Sequence, residues 1–194
     1  MRLTGQEVAT TSQGVWRFGM PRMITGIGTD SRDFIAGHAF LALRGVTFDG
    51  HTHAHQVAEQ ASALIGDING VASWQTLTDT PQLEVADTLQ ALGDIASCHR
   101  NQLVDTQVIA ITGSYGKTTV RSMLAHVLQV LGLEVASTKE NFNNLIGVPK
   151  TLMAVQPSAD VAIIECGISE LGEMERLSEI VQPDIAIVTG LTHA

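Results

Sequence analysis

One stretch of the sequence has the residue types and spacing to hold a phosphate: Thr112-Gly113-Ser114-Tyr115-Gly116-Lys117-Thr118-Thr119. Glycines let a backbone wrap an anion without Cβ clashes. The N–H groups that open a helix face such an anion, and the helix dipole favours it. A loop lysine can reach the β- and γ-phosphates of a nucleotide, and the hydroxyl after it can ligate Mg²⁺. The candidate ATP-binding residues are therefore Gly113, Ser114, Tyr115, Gly116, Lys117, Thr118 and Thr119. The longer phosphate-loop pattern has a further glycine where this chain has Ile111, so this is the shorter Gly-x-x-Gly-Lys-Thr form. Glu165 is the second chemical residue, at the end of the apolar run Val161-Ala162-Ile163-Ile164. A carboxylate there is costly unless it is paired or bound to a metal. Beside a phosphate loop the natural partner is Mg²⁺. Lys117 and Glu165 are thus the candidate catalytic residues, and Thr118 and Glu165 the candidate metal ligands.

Other groups are less telling. Asn141, Asn143 and Asn144 put three amides into four residues before Gly147 and Pro149, which read alone is a turn. His51, His53 and His55 alternate, but no cysteine or carboxylate cluster completes a metal shell around them. Trp16 and Trp74 read as packing residues.

The loop needs a strand before it and a helix after it, and both are legible. Val108–Thr112 reads as a buried strand. Val120, Met123, Leu124, Val127, Leu128 and Leu131 mark one face of a helix ended by Gly132. Val161–Glu165 and Ile185–Thr189 are further strands, and Met174, Leu177, Ile180 and Val181 mark a helix stopped by Pro183. Apolar runs alternating with helices imply a parallel sheet covered on both faces. Ligands of such sheets bind off the carboxyl ends of the strands, which here carry Thr112, Glu165 and Thr189.

The first half is less regular. Thr4-Gly5-Gln6-Glu7 is a capping-box pattern. Ile24–Thr29 and Ala39–Leu43 look β-like, with the polar turn Thr29–Asp33 between them. Val57, Ala61 and Leu64 fall at helical spacing, Gly66–Gly70 reads as a turn, and the texture changes again near Pro81. A helix is expected over Asp87–Arg100, with Leu89, Leu92, Ile95 and Ala96 on one face.

Composition bounds the partners. The chain has 194 residues, 44% apolar, with a net charge of −9 and no basic run, which argues against nucleic acid. No apolar run approaches the roughly 18–20 residues of a membrane span, and no signal-like segment opens the chain, so a cytoplasmic protein is expected. Cys98 and Cys166 make no disulfide framework and read as buried, reduced thiols.

Taken together, Thr112–Thr119, Asn141–Pro149, Glu165-Cys166-Gly167 and Gly172-Glu173-Met174 resemble the Mur ligases, most of all the branch that adds D-alanyl-D-alanine. Thr29-Asp30-Ser31-Arg32, Phe40–Gly45 and Phe48-Asp49-Gly50-His51 resemble the domain with which that family holds the UDP end of its substrate. The resemblance implies an α/β fold. A small UDP-binding domain over residues 1–83 would precede part of a P-loop-like parallel-sheet ATPase domain over residues 84–194. It also implies ATP and Mg²⁺ as cofactors, and UDP-N-acetylmuramoyl-tripeptide and D-alanyl-D-alanine as substrates. Ser31, Arg32, Arg44, Asp49, Gly50, His51, Asn141, Asn143 and Asn144 would then be substrate-binding. ATP would phosphorylate the terminal carboxylate of the muramoyl peptide, and the dipeptide amine would displace that phosphate.

The chain departs from the family pattern at two places. Glu140 stands where glycine is common, and Gly190 where asparagine is. The family's Ala-His pair after the third strand would begin at Ala194, so His193 is not its metal-binding histidine. The length implies a piece of such a ligase, inactive alone. A sibling that adds a diamino acid, a non-catalytic nucleotide-binding remnant and a generic P-loop kinase are the competing readings.

Overall fold

The computed structural model describes residues 1–191, so Ala194, where the family's Ala-His pair would begin, and His193 lie outside the described residues. By compactness the chain divides into two units, Met1–Cys98 and His99–Ala194. The sequence suggests a break near residue 83; the compact division falls instead near the end of the helix expected over Asp87–Arg100.

In the first unit, α1 (Gly5–Thr11) opens with the expected capping box. Glu7 N donates to Thr4 Oγ1 at 3.1 Å, and Thr4 N donates to Glu7 Oε2 at 2.7 Å. After it come β1 (Val15–Trp16), β2 (Ile27–Gly28), β3 (Ala39–Leu41), α2 (Ala54–Val57), β4 (Ala63–Asp67), α3 (Ile68–Ser73), β5 (Gln82–Val85) and α4 (Thr88–Arg100). The strands form one sheet in the order β1-β5-β4-β3-β2, parallel except for β1 against β5. Val57, Ala61 and Leu64 do meet, but not on one helix. Leu64 lies in β4, and the three join Phe40, Val71 and Trp74 in a single apolar cluster. The expected turn at Gly66–Gly70 is instead the end of β4 and the start of α3, joined where Asp67 Oδ1 accepts from Gly70 N at 2.7 Å. A strand running straight into a capped helix carries the same Gly/Asp/Asn signature as a turn.

Helix α4 buries Leu92, Ile95 and Ala96 as expected and Ala91 besides, while Leu89 is exposed. Within the first unit Thr11 Oγ1 donates to the Asp94 carbonyl. Within the second, His99 meets the Val155 carbonyl and Arg100 donates to the Val181 carbonyl.

The second unit runs β6 (Gln107–Thr112), α5 (Lys117–Val130), β7 (Val135–Ser137), α6 (Gly147–Ala154), β8 (Val161–Glu165), α7 (Glu173–Val181) and β9 (Ile185–Val188). All the strands are parallel, in the order β7-β8-β6-β9. The chain leaves β6 toward one side of the sheet and later returns to β9 on the other. That reversal places a crevice off the carboxyl end of β6. Ile111 pairs with Glu165 and Thr112 with Val188, so three strands end at one edge.

Helix α5 lays Val120, Leu124, Ala125 and Leu128 on Ile109, Ile111, Val161 and Ile163. Met123, Val127 and Leu131, expected on that face, are exposed. β7 was not anticipated, because three residues show no readable alternation. On β9, Ile185 and Val188 are exposed, against the expectation of burial on both faces; among the described residues β9 pairs only with β6. No described helix is long and apolar enough to cross a membrane.

Glu140 has φ +49°. A non-glycine residue there bears roughly 1–2 kcal/mol of Cβ–carbonyl strain, whereas glycine adds roughly 0.5–1 kcal/mol of unfolded-chain entropy. Glu140→Gly should therefore stabilise the chain by about 0.5–1 kcal/mol. Urea unfolding checks this, and a lower midpoint for the variant would refute it.

Candidate active site

The loop between β6 and α5 adopts a shape that needs its glycines. Gly113 has φ +136° and Gly116 φ +85°. The segment after β9 braces it from behind. Thr189 Oγ1 donates toward the carbonyls of Tyr115 (2.6 Å) and Thr112 (3.1 Å), and Ser114 N donates to the Gly190 carbonyl at 2.8 Å. A side chain at 190 would run into the Tyr115 ring, so glycine at this departure from the family pattern matches the tyrosine across from it. No side chain caps α5, in contrast to α1 and α3. The first N–H groups of a helix lack intrahelical partners, so they are left for an anion. Lys117 Nζ lies 2.7 Å from the Gly113 carbonyl, folded over the loop.

Glu165 ends β8 with 2% of its surface exposed. Thr118 Oγ1 lies 3.0 and 3.2 Å from its two oxygens and shares one proton between them. Asn143 Nδ2 donates to Oε1 at 3.1 Å. Thr138, just after β7, takes the Glu165 backbone N–H on its hydroxyl at 2.8 Å and so fixes the strand end. A hydroxyl and a buried carboxylate converging beside an open loop are the hard oxygen donors that Mg²⁺ uses with phosphate oxygens. The residues thus fit a nucleotide with its cation. Sequence reasoning missed Thr138 and Arg121. The Arg121 side chain, 12% exposed, reaches Glu165 Oε2 from α5 with its Nε at 3.5 Å. Spacing offered a signal, since residue 121 lies one turn past Thr118 on the same face.

The three amides separate. Asn143 joins Glu165. Asn144 Oδ1 accepts from Ile146 N and Gly147 N at 3.1 and 2.9 Å and starts α6. Asn141 is exposed and lines a recess of about 220 Å³ with Phe142, Asn144, Ile146, Gly147 and Lys150. Thr119 is exposed on α5. Cys166 is buried beside Glu165; burial first, and then the carboxylate, push its thiol up to about 12, so it is inert. Cys98, expected to be buried, is half-buried.

In the first unit, the predicted residues cluster off the carboxyl ends of β2, β3 and β4. Arg44 spans Asp49 Oδ2 (2.8 Å) and Asp67 Oδ2 (3.0 Å). His51, 4% exposed, has Nδ1 2.6 Å from Asp49 Oδ1, and its Nε2 accepts from Asp67 N at 3.0 Å. Both ring nitrogens are used inside the fold, so His51 positions its neighbours and has no free nitrogen for a ligand. Gly50 is buried where a Cβ would press on Leu43, within a 3-10 turn, Gly50–His53. His53 stacks on Phe48 at 5.9 Å. Ser31 Oγ donates to Gln56, and the exposed Arg32 pairs with Asp30. Among the described residues no His/Cys/Asp/Glu group is arranged to hold a metal by itself.

Burial alone would raise the carboxyls of Asp49 and Asp67, but hydrogen bonds from His51 to Asp49 and from Gly70 and Arg44 to Asp67, with the Arg44 charge between them, outweigh it and hold both below the ordinary aspartate value. Their contribution to stability is full above that unfolded value and is lost as pH falls through the lower folded one. Thermal melts between pH 5 and 2 should show this acid loss. Asp67→Asn should shrink the pH dependence, and an unchanged slope would refute the assignment.

Comparison with known proteins places these features. The Mur ligase family catalytic-domain profile matches residues 23–100, and the Mur ligase middle-domain profile matches residues 111–194. The UDP-N-acetylmuramoyl-tripeptide–D-alanyl-D-alanine ligase of Escherichia coli K12 is 39% identical over 172 residues, covering 88% of this chain and 36% of that protein. A crystal structure of MurF from Acinetobacter baumannii superposes with TM-score 0.84 at 36% identity, covering 97% of this chain and 41% of that one. MurF from Thermotoga maritima, solved in complex with ADP, superposes with TM-score 0.72 at 25% identity, over 85% of this chain and 37% of that one. The chain thus spans about two fifths of the length of the relatives it matches. With two profiles of one family matching in order over most of its length, and relatives of one kind aligned across both units, this chain belongs to the Mur ligase family.

Proposed function

We propose that the chain serves an ATP-dependent ligase of peptidoglycan precursor synthesis, adding D-alanyl-D-alanine to UDP-N-acetylmuramoyl-tripeptide. The observation that carries this reading is the meeting of Lys117, Thr118 and the buried Glu165 at an uncapped, glycine-shaped loop. The relatives' names and the ADP-bound relative support the substrates and the nucleotide. The first unit would hold the UDP end, and the second would supply the first part of the ATP domain. ATP use fits a cytoplasmic setting, and the net charge of −9 leaves nucleic acid an unfavoured partner.

The peptide's terminal carboxylate oxygen attacks the γ-phosphorus, ADP leaves, and the dipeptide amine then displaces phosphate from the acyl phosphate. The chain's own groups mainly position and neutralise. Lys117, held over the loop, would neutralise phosphate oxygens. The N–H groups at the start of α5 hold the anion. Thr118 and Glu165 would hold Mg²⁺, which when bound neutralises phosphate charge. Asn143 keeps the carboxylate aimed at that position.

The test is a chimera in which this chain replaces the matching stretch of the E. coli relative. Phosphate release from ATP should require both UDP-N-acetylmuramoyl-tripeptide and D-alanyl-D-alanine. A folded chimera that releases none, or releases it without the dipeptide, would overturn the reading.

A further inference from the structure

Arg121 is unexplained by the roles assigned so far. Its side chain is nearly buried, its Nε lies 3.5 Å from Glu165 Oε2, and that Nε meets no hydrogen-bond acceptor in line. A guanidinium nitrogen taken out of water without a well-formed bond is costly unless a charge nearby offsets it, and Glu165 is that charge. Glu165 is itself 2% exposed and already receives Thr118 and Asn143, so Arg121 is not needed to satisfy its oxygens. What it adds is a fixed positive charge beside the oxygens assigned to the divalent cation.

We infer that Arg121 is a positioning residue that pairs with Glu165 in the nucleotide-free chain and opposes uptake of a bare divalent cation. The cation then enters together with the nucleotide, whose phosphate charge offsets the guanidinium. This rests on the proposed role of Thr118 and Glu165 as cation donors. An arginine suits the task because it stays charged and is held rigidly by its planar group. Like charges a few ångströms apart in a poorly solvated site repel strongly, whereas a cation arriving with phosphates brings net negative charge.

The probe is Mn²⁺, with the free ion read by electron paramagnetic resonance and folding checked by circular dichroism. Without nucleotide, Arg121→Met and Arg121→Gln should bind Mn²⁺ about tenfold or more tightly than the parent chain, and Arg121→Lys about as weakly as the parent. With Mn²⁺ supplied as its ADP complex, the Met and Gln variants should bind no more tightly than the parent. Either of these variants suffices if the other does not fold. Bare-ion affinity that is unchanged or weaker in the folded variants would overturn the inference. Glu165→Gln separates the two claims. If it leaves Mn²⁺ binding with ADP intact, the cation assignment itself fails, whatever the Arg121 variants do.

Discussion

Replacing Lys117 by alanine in the chimera should lower phosphate release by about a thousandfold or more. One donor to developing transition-state charge is worth about 10²–10³ in rate, and a fully charged one at a transferring phosphoryl group reaches about 10³–10⁵. Lys117 is the charged side chain of the loop itself, and its ammonium sits over the loop mouth. The fold does not need it, since its recorded partner is a loop carbonyl and α5 packs through Val120, Leu124 and Leu128. The variant should therefore stay folded. It should also keep its affinity for the UDP-linked acceptor, which the account assigns to the first unit. A folded variant with near-parental release would remove Lys117 from the chemistry. Loss of acceptor binding would instead refute the division of labour between the two units.

Trp74→Ala should cost the first unit about 3–5 kcal/mol, the range for truncating a buried large aromatic. Trp74 is 3% exposed and packs in the cluster of Phe40, Val57, Leu64 and Val71. Its Nε1 donates to the His51 carbonyl at 3.0 Å, and its ring lies 5.5 Å from the His51 ring. The side chain thus supports both the core and the turn that carries the Arg44–Asp49–His51–Asp67 group. Domains are commonly stable by only about 5–15 kcal/mol, so a loss of this size should bring unfolding into mild urea. Trp74→Phe keeps most of the packing and loses the hydrogen bond, and should cost about half as much or less. Urea titration followed by circular dichroism checks both, and equal midpoints for the parent and Trp74→Ala would contradict the packing described.

The second unit was far more legible than the first, for physical reasons. Buried parallel strands and the helices between them have strong, separable periods, so β6, β8, α5 and α7 stood out. Glu165 stood out because a carboxylate ending an apolar run is rare without a partner. The first unit has strands of two to five residues, too short for alternation to declare itself, and Leu64 was drawn onto a helix it does not share. Gly66–Gly70 has the composition of a turn because a strand passing directly into a capped helix uses the same residues. Exposure of Met123, Val127 and Leu131 could not be read from spacing, since apolar residues ring most of α5 and only the sheet decides which are covered. At the site, the sequence points to Thr118 and Glu165 as ligands of one cation, and the structure brings them into direct contact. The roles of Thr138 and Arg121 depend on distances across the fold, which residue types alone do not carry. His51 marks the same boundary. The family resemblance of Phe48-Asp49-Gly50-His51 implies a substrate contact, whereas the fold uses both of the His51 ring nitrogens internally.

The central claim is that the Gly113–Thr119 loop and Glu165 together hold a nucleotide and its cation. Calorimetric titration of ADP into the 194-residue chain, with and without Mg²⁺, tests it most directly. ADP binding should strengthen with Mg²⁺, be lost in Lys117→Ala, and lose its Mg²⁺ dependence in Glu165→Gln. A folded parent chain that takes up no ADP, or a Lys117→Ala variant that binds it as tightly as the parent, would contradict the account.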